Sequence, residues 1–124
     1  MKLNHTIVHC TDQARSSGFL AELFGRPAPT RFGHFHVVTL DNDVSLDYME
    51  VKPPISAQHY AFLVSEEDFS AIFDRIQARG LEYWADPGLR RARQINTHDG
   101  GRGVYFKDPD GHLMEALTVP YGGW

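Results

Sequence analysis

The sequence predicts an α+β fold built from two βαβββ modules, and three observations lead there. A strand-like run followed by a helix start occurs twice, at residues 3–8 before Thr11 and Asp12, and at residues 58–64 before Ser65 and Asp68. Laying His5 on His59 also lays Phe19 on Phe73, so the two helix cores align without a gap. Each half then closes with turn chemistry leading into a strand that carries an acid: Asp41-Asn42-Asp43 before Asp47, and Asp108-Pro109-Asp110-Gly111 before Glu115.

In order along the chain, residues 3–8 mix β-branched and apolar positions and read as the opening strand. Thr11 and Asp12 can cap a helix that carries Phe19, Leu20, Leu23 and Phe24 on one broad face, and Gly25 with Pro27 and Pro29 ends it. The second strand of this half is poorly signalled, whereas residues 34–40 and 44–51 are clear candidates. In the second half, Ser65 and Asp68 form a Ser-x-x-Asp start, and Phe69, Ile72, Phe73 and Ile76 keep helical spacing until Gly80. Strands are expected at 81–84, 103–107 and 112–119.

With 124 residues, 42% hydrophobic and 23% charged, the chain suits a single domain with a proper core. Module one is expected at about 1–54 and module two at about 55–124. A net charge of -4 argues against nucleic-acid binding, which rests on clustered Lys and Arg; only Arg90, Arg91 and Arg93 are locally basic. Cys10 is the sole cysteine, so an intrachain disulfide and a thiolate zinc site are both excluded, and a reducing, cytoplasmic setting is expected. The amino terminus reads as a strand, without the long apolar run of a signal peptide or membrane span.

Three metal-capable side chains, His5, His59 and Glu115, each stand in a strand-like segment. Side chains alternate along a strand, so His59 shares a face with Ala61 and Leu63, and Glu115 shares one with Leu113 and Leu117. A carboxylate on an apolar face is costly to desolvate unless a cation or hydrogen bonds compensate it. Two imidazoles and a carboxylate can occupy one face of a divalent metal and leave positions open for water, substrate or oxygen. His9, His34 and His112 read instead as ordinary histidines with satisfied hydrogen bonds, and Cys10 as a small core residue. Residues 90–102 form a long irregular stretch that is expected to act as a lid, with Asn96 and Arg102 binding substrate and His98 serving catalysis.

Leu3-Asn4-His5-Thr6-Ile7, His59-Tyr60-Ala61-Phe62, and the string from Gly103 to Glu115 that contains Tyr105-Phe106-Lys107-Asp108-Pro109-Asp110-Gly111 together carry a resemblance. The chain resembles, over nearly its whole length, the vicinal oxygen chelate superfamily of glyoxalase I, extradiol ring-cleavage dioxygenases, fosfomycin-resistance thiol transferases and bleomycin-resistance proteins. That resemblance implies paired modules curled into a mixed-sheet cup around a divalent metal (Fe, Mn, Zn, Ni or Co), with His5, His59 and Glu115 as the ligands. It also implies a substrate-facing tyrosine at Tyr105, ten residues before Glu115. Where glyoxalase I has a further glutamate this chain has Asp47, shorter by one methylene, whose possible roles are a water-mediated ligand, a base or a hydrogen-bond acceptor. The implied function is a metal-dependent enzyme that binds a small substrate through two neighbouring oxygens, dioxygenase-like or glyoxalase-like. The alternative is a bleomycin-resistance-type protein that sequesters a drug or metabolite without turnover. A homodimer is expected, with no nucleic-acid or membrane partner.

Overall fold

A computed structural model describes residues 1–121. The question whether the tail at residues 120–124 is loose or closes over a site falls, for residues 122–124, outside the described residues. The chain divides into two compact units, Met1–Ser56 and Ala57–Trp124.

The first unit contains β1 (His5–Cys10), α1 (Gln13–Leu23), β2 (Thr30–Phe32), β3 (Phe35–Thr39) and β4 (Ser45–Glu50), with strand order β1-β4-β3-β2. The second contains β5 (His59–Leu63), α2 (Glu66–Ala78), β6 (Tyr83–Trp84), β7 (Gly103–Lys107) and β8 (Leu113–Leu117), in the equivalent order β5-β8-β7-β6. In each sheet the opening strand runs parallel to the closing strand and the other pairs are antiparallel. Neighbouring antiparallel strands need only turns, while the parallel pair is separated in sequence by the rest of its module.

The helices start as their capping residues dictate. Asp12 accepts a hydrogen bond from the Arg15 amide at 3.0 Å, and Ser65 accepts one from the Asp68 amide at 3.0 Å. Helix α2 adds Glu66, Glu67 and Asp68 in its first turn, where they complement the helix dipole. Gly25 and Gly80 follow the helices with positive φ, the left-handed conformation that ends a helix at little steric cost. Alternation then sorts the strands. Val8 and Cys10 in β1, Leu46 and Tyr48 in β4, and Leu20 and Leu23 of α1 form the first core. Val104 and Phe106 in β7, Met114 and Ala116 in β8, and Phe69, Ile72 and Ile76 of α2 form the second.

Two expectations change in extent. The strand expected at 81–84 shrinks to Tyr83–Trp84, and the poorly signalled strand of the first half is Thr30–Phe32. All three residues of β2 are exposed at the sheet edge, so no buried face imposes a period on them. Among the described residues no helix is long and apolar enough to cross a membrane.

Candidate metal centre

The parallel register of β5 and β8 sets Ala61 opposite Glu115, which puts His59 diagonal to Glu115 on one face of the sheet. Two hydrogen-bonding atoms then define the histidine. Its Nδ1 lies 3.0 Å from the Leu113 carbonyl oxygen, which can only accept, so Nδ1 carries the proton and a neutral ring turns its Nε2 lone pair outward. That Nε2 lies 3.1 Å from Glu115 Oε1. With Nε2 unprotonated, this lone pair and the carboxylate suit a cation between or beside them; with Nε2 protonated, the two form an ion pair. Two ligand atoms held about 2.1 Å from one divalent ion at right angles stand about 3 Å apart, so the pair fits adjacent positions on such an ion. Glu115 is fully buried.

Tyr105 stands directly opposite Glu115 across β7 and β8. Its ring stacks on His59 with centroids 6.0 Å apart and planes 26° from parallel. Burial first, then hydrogen bonding to Tyr121 and the charge of Glu115, pushes the Tyr105 phenol above the ordinary tyrosine range, so its hydroxyl stays protonated at neutral pH. The hydroxyls of Tyr105 and Tyr121 are 2.9 Å apart, and Tyr121 donates to Glu115 Oε2 at 2.6 Å. The Tyr121 phenol is also raised, mainly by burial.

The turn before β8 braces this pair. His112 is fully buried, and its Nδ1 accepts from the Gln58 amide at 2.9 Å while the Leu113 amide donates to the Gln58 carbonyl. Asp108 Oδ1 accepts from the amides of Asp110 and His112, and burial raises its carboxyl above the usual carboxylate range. His59 and Glu115 therefore sit on strands tied together at the residues immediately next to His59 and to Leu113. His112 is more than the half-buried histidine expected of it.

In the first unit, β1 and β4 set Ile7 opposite Asp47, so His5 bears to Asp47 the register that His59 bears to Glu115. His5 is exposed with Nδ1 2.7 Å from Asn4 Oδ1, and Asp47 accepts from the Ser45 hydroxyl at 2.8 Å. Among the described residues no group of three His, Cys, Asp or Glu side chains is assembled as a metal site. The pair the structure brings together is His59 with Glu115.

Arg102, expected to bind substrate, meets the start of α2: Nε donates to Glu66 Oε2 at 2.7 Å, Nη2 donates to the Glu66 carbonyl and the Ser70 hydroxyl, and the guanidinium lies 4.5 Å over the Phe69 ring. Asn96, also expected to bind substrate, donates from Nδ2 to the Ala85 carbonyl at 2.9 Å, and its side chain covers Gly103, where a Cβ would meet it at 2.7 Å. It pins the loop to β7 through paired backbone bonds with Gly103. His98 is exposed in a 3-10 turn, His98–Gly100, and is not among the groups meeting at Glu115. Tyr121 was missed, since a residue beyond the last strand carries no periodic signal of where its side chain returns.

Residues 2–116 match the family described as the Glyoxalase/Bleomycin resistance protein/Dioxygenase superfamily. The chain belongs to that superfamily. It is 32% identical over 119 residues to the glutathione transferase FosA of Serratia marcescens, covering 91% of this chain and 77% of the relative. It is 30% identical over 124 residues to the metallothiol transferase FosB of Shouchella clausii, covering 94% of this chain and 79% of the relative. Among solved structures, the oxidase ChaP-H1 is 60% identical with a TM-score of 0.97, covering 99% of each chain. The oxidase ChaP-H2 is 53% identical with a TM-score of 0.96, covering 98% of this chain and 96% of its own. These relatives carry the same α+β fold.

Proposed function

We propose that this chain is a divalent-metal-dependent oxidase that consumes dioxygen and takes a small substrate through two neighbouring oxygens, in the manner of a ring-cleavage dioxygenase. The observation that carries the reading is the His59 and Glu115 pair at 3.1 Å, with the His59 tautomer set by Leu113 and the Tyr105 ring stacked alongside. Identity of 60% to an oxidase over nearly the whole of both chains supports oxygen chemistry over isomerisation.

In this reading His59, Glu115 and His5 hold the metal, the third by its matching place at the head of the first module. When bound, the metal supplies Lewis acidity that favours a deprotonated substrate oxygen at neutral pH. The protein's groups do the rest. Leu113 and Tyr121 orient the two ligands of the second module, so neither reorganises when substrate arrives. Tyr105, kept protonated, donates a hydrogen bond to a substrate oxygen, and Asp47 takes a substrate proton. His98, exposed on the loop, is the remaining candidate for proton transfer at the entrance. The metal is one of Fe, Mn, Zn, Ni or Co, because nitrogen and oxygen ligands discriminate poorly among these ions.

The 124 residues act as one functional domain, and the working assembly is a homodimer in a reducing cytoplasm. Both β1 and β5 are sheet edges, and each exposes an apolar side chain, Ile7 and Leu63, on the face that bears its histidine. A solution mass of one chain, 14.0 kDa, at micromolar concentration would contradict the dimer.

The second reading is thiol transfer, favoured by 32% identity to a glutathione transferase. An oxygen electrode separates the two. With Fe(II) or Mn(II) loaded, uptake of dioxygen on addition of a catechol or hydroxyketone panel supports the oxidase; no uptake, with thiol consumed on an epoxide, supports transfer. Ligand binding that persists after chelation, with neither reaction, would leave the sequestering alternative.

A further inference from the structure

We propose that Tyr121 is a positioning residue of this centre, one that fixes the Glu115 carboxylate with Oε1 presented beside His59 and accepts the hydrogen bond of Tyr105. The inference rests on the metal-binding reading above. Glu115 has two oxygens with separate partners: Oε1 faces His59 and Oε2 receives the Tyr121 hydroxyl at 2.6 Å. A hydroxyl has one proton, so with that proton on Glu115 the Tyr121 oxygen accepts, and Tyr105 is the donor across their 2.9 Å contact. The direction of the chain is therefore Tyr105 to Tyr121 to Glu115.

The segment that delivers Tyr121 is anchored. After β8, the Thr118 amide donates to the Arg102 carbonyl, the Arg102 amide donates to the Thr118 hydroxyl at 2.8 Å, and that hydroxyl donates to Glu66 at 2.7 Å. Val119 packs so closely on Gly101 that a Cβ there would stand 2.7 Å from its Cγ2. Held at these two residues, the chain reverses and returns the Tyr121 hydroxyl to a carboxylate six residues earlier. Tyr121 as a residue remains 42% exposed, so its packing is modest and its hydroxyl is the specific contribution.

Two consequences follow. With Oε2 engaged by Tyr121 and Oε1 presented beside His59, coordination through Oε1 alone would be favoured over chelation by both oxygens, which would leave one more position for water or substrate. With its hydrogen bond donated to Tyr121, Tyr105 must exchange that partner for a substrate oxygen as substrate enters.

The test uses Mn(II) alone, with the full chain, its Tyr121→Phe variant, and Tyr83→Phe as a tyrosine control on another strand. Free Mn(II) is read by electron paramagnetic resonance, exchangeable waters on bound Mn(II) by proton relaxation at saturating metal, and folding by the melting of the metal-free proteins. The expected result is weaker binding in Tyr121→Phe by about 10- to 100-fold, as for other groups that orient metal ligands. Its bound Mn(II) should also carry fewer exchangeable waters, while Tyr83→Phe matches the wild type and all three melt alike. Unchanged affinity and relaxation in Tyr121→Phe, or a loss that only tracks lower melting, would overturn the positioning role alone. Wild-type protein that takes up no Mn(II), Fe(II), Zn(II), Ni(II) or Co(II) would overturn the metal reading and this inference with it.

Discussion

In the first half, His5 and Asp47 occupy adjacent parallel strands with Ile7 opposite the acid; in the second, His59 and Glu115 stand in the same relation with Ala61 opposite the acid. The strand order and capping plan are repeated as well. What differs is reach and company. Asp47 is one methylene shorter and accepts from the Ser45 hydroxyl, and His5 lies beside Asn4, whereas Glu115 is fully buried between the His59 ring and the Tyr121 hydroxyl. A repeated backbone thus offers two places for a ligand pair, and side-chain length with neighbouring donors decides which one is assembled.

Removing the assembled pair should have the largest effect. His59→Ala is expected to abolish dioxygen uptake together with metal content, checked by oxygen electrode and elemental analysis on the same preparation. Asp47→Asn probes the unassembled counterpart: metal stays bound while turnover falls about 100-fold or more, as for loss of a general base. If Asp47→Asn loses its metal as His59→Ala does, the two halves are alike and the contrast drawn between them fails.

Smaller effects concern what frames the second half. Arg102→Ala should lower unfolding stability by about 1–3 kcal/mol in urea titration, through lost charge-assisted hydrogen bonds and contact with Phe69, with metal content intact. A loss of substrate affinity without loss of stability would instead support the substrate-binding role the sequence suggested for Arg102. The slightest effect is electrostatic. Hydrogen bonds from Thr118 and then Arg102 hold the exposed Glu66 carboxyl below its ordinary value, so ionised Glu66 belongs to the folded state. Its contribution is present above the ordinary carboxylate range and is lost as pH falls through the depressed value. Glu66→Gln should therefore melt slightly lower at pH 7 and converge with the wild type in acid.

The fold was legible because its signals are local. Capping residues, helix spacing at Phe69, Ile72 and Ile76, and the turns before β4 and β8 each specify an element by themselves. Thr30–Phe32 was not, since an exposed edge strand has no face to pattern. Within the site, His59 and Glu115 were legible as polar residues on strand faces. The contacts of Arg102 with α2 follow from alternation: Tyr105 and Gly103 share one face of β7, and Arg102 falls on the other, toward α2. The bond from the Asn96 amide to Ala85 was not legible, because it is a pairing across an irregular loop that no spacing rule reveals. Tyr121 depends on chain reversal after β8 and on the anchors at Thr118 and Val119, which are tertiary facts.

The central claim is that His59 and Glu115 are two ligands of one metal. Elemental analysis of the wild-type protein beside Glu115→Gln, both purified without a metal-affinity step, tests it most directly. The account predicts near-stoichiometric divalent metal in the wild type and its loss in the variant, with both proteins folded. Equal metal content in the two, or none in either after Fe(II), Mn(II), Zn(II), Ni(II) and Co(II) are offered, would contradict it.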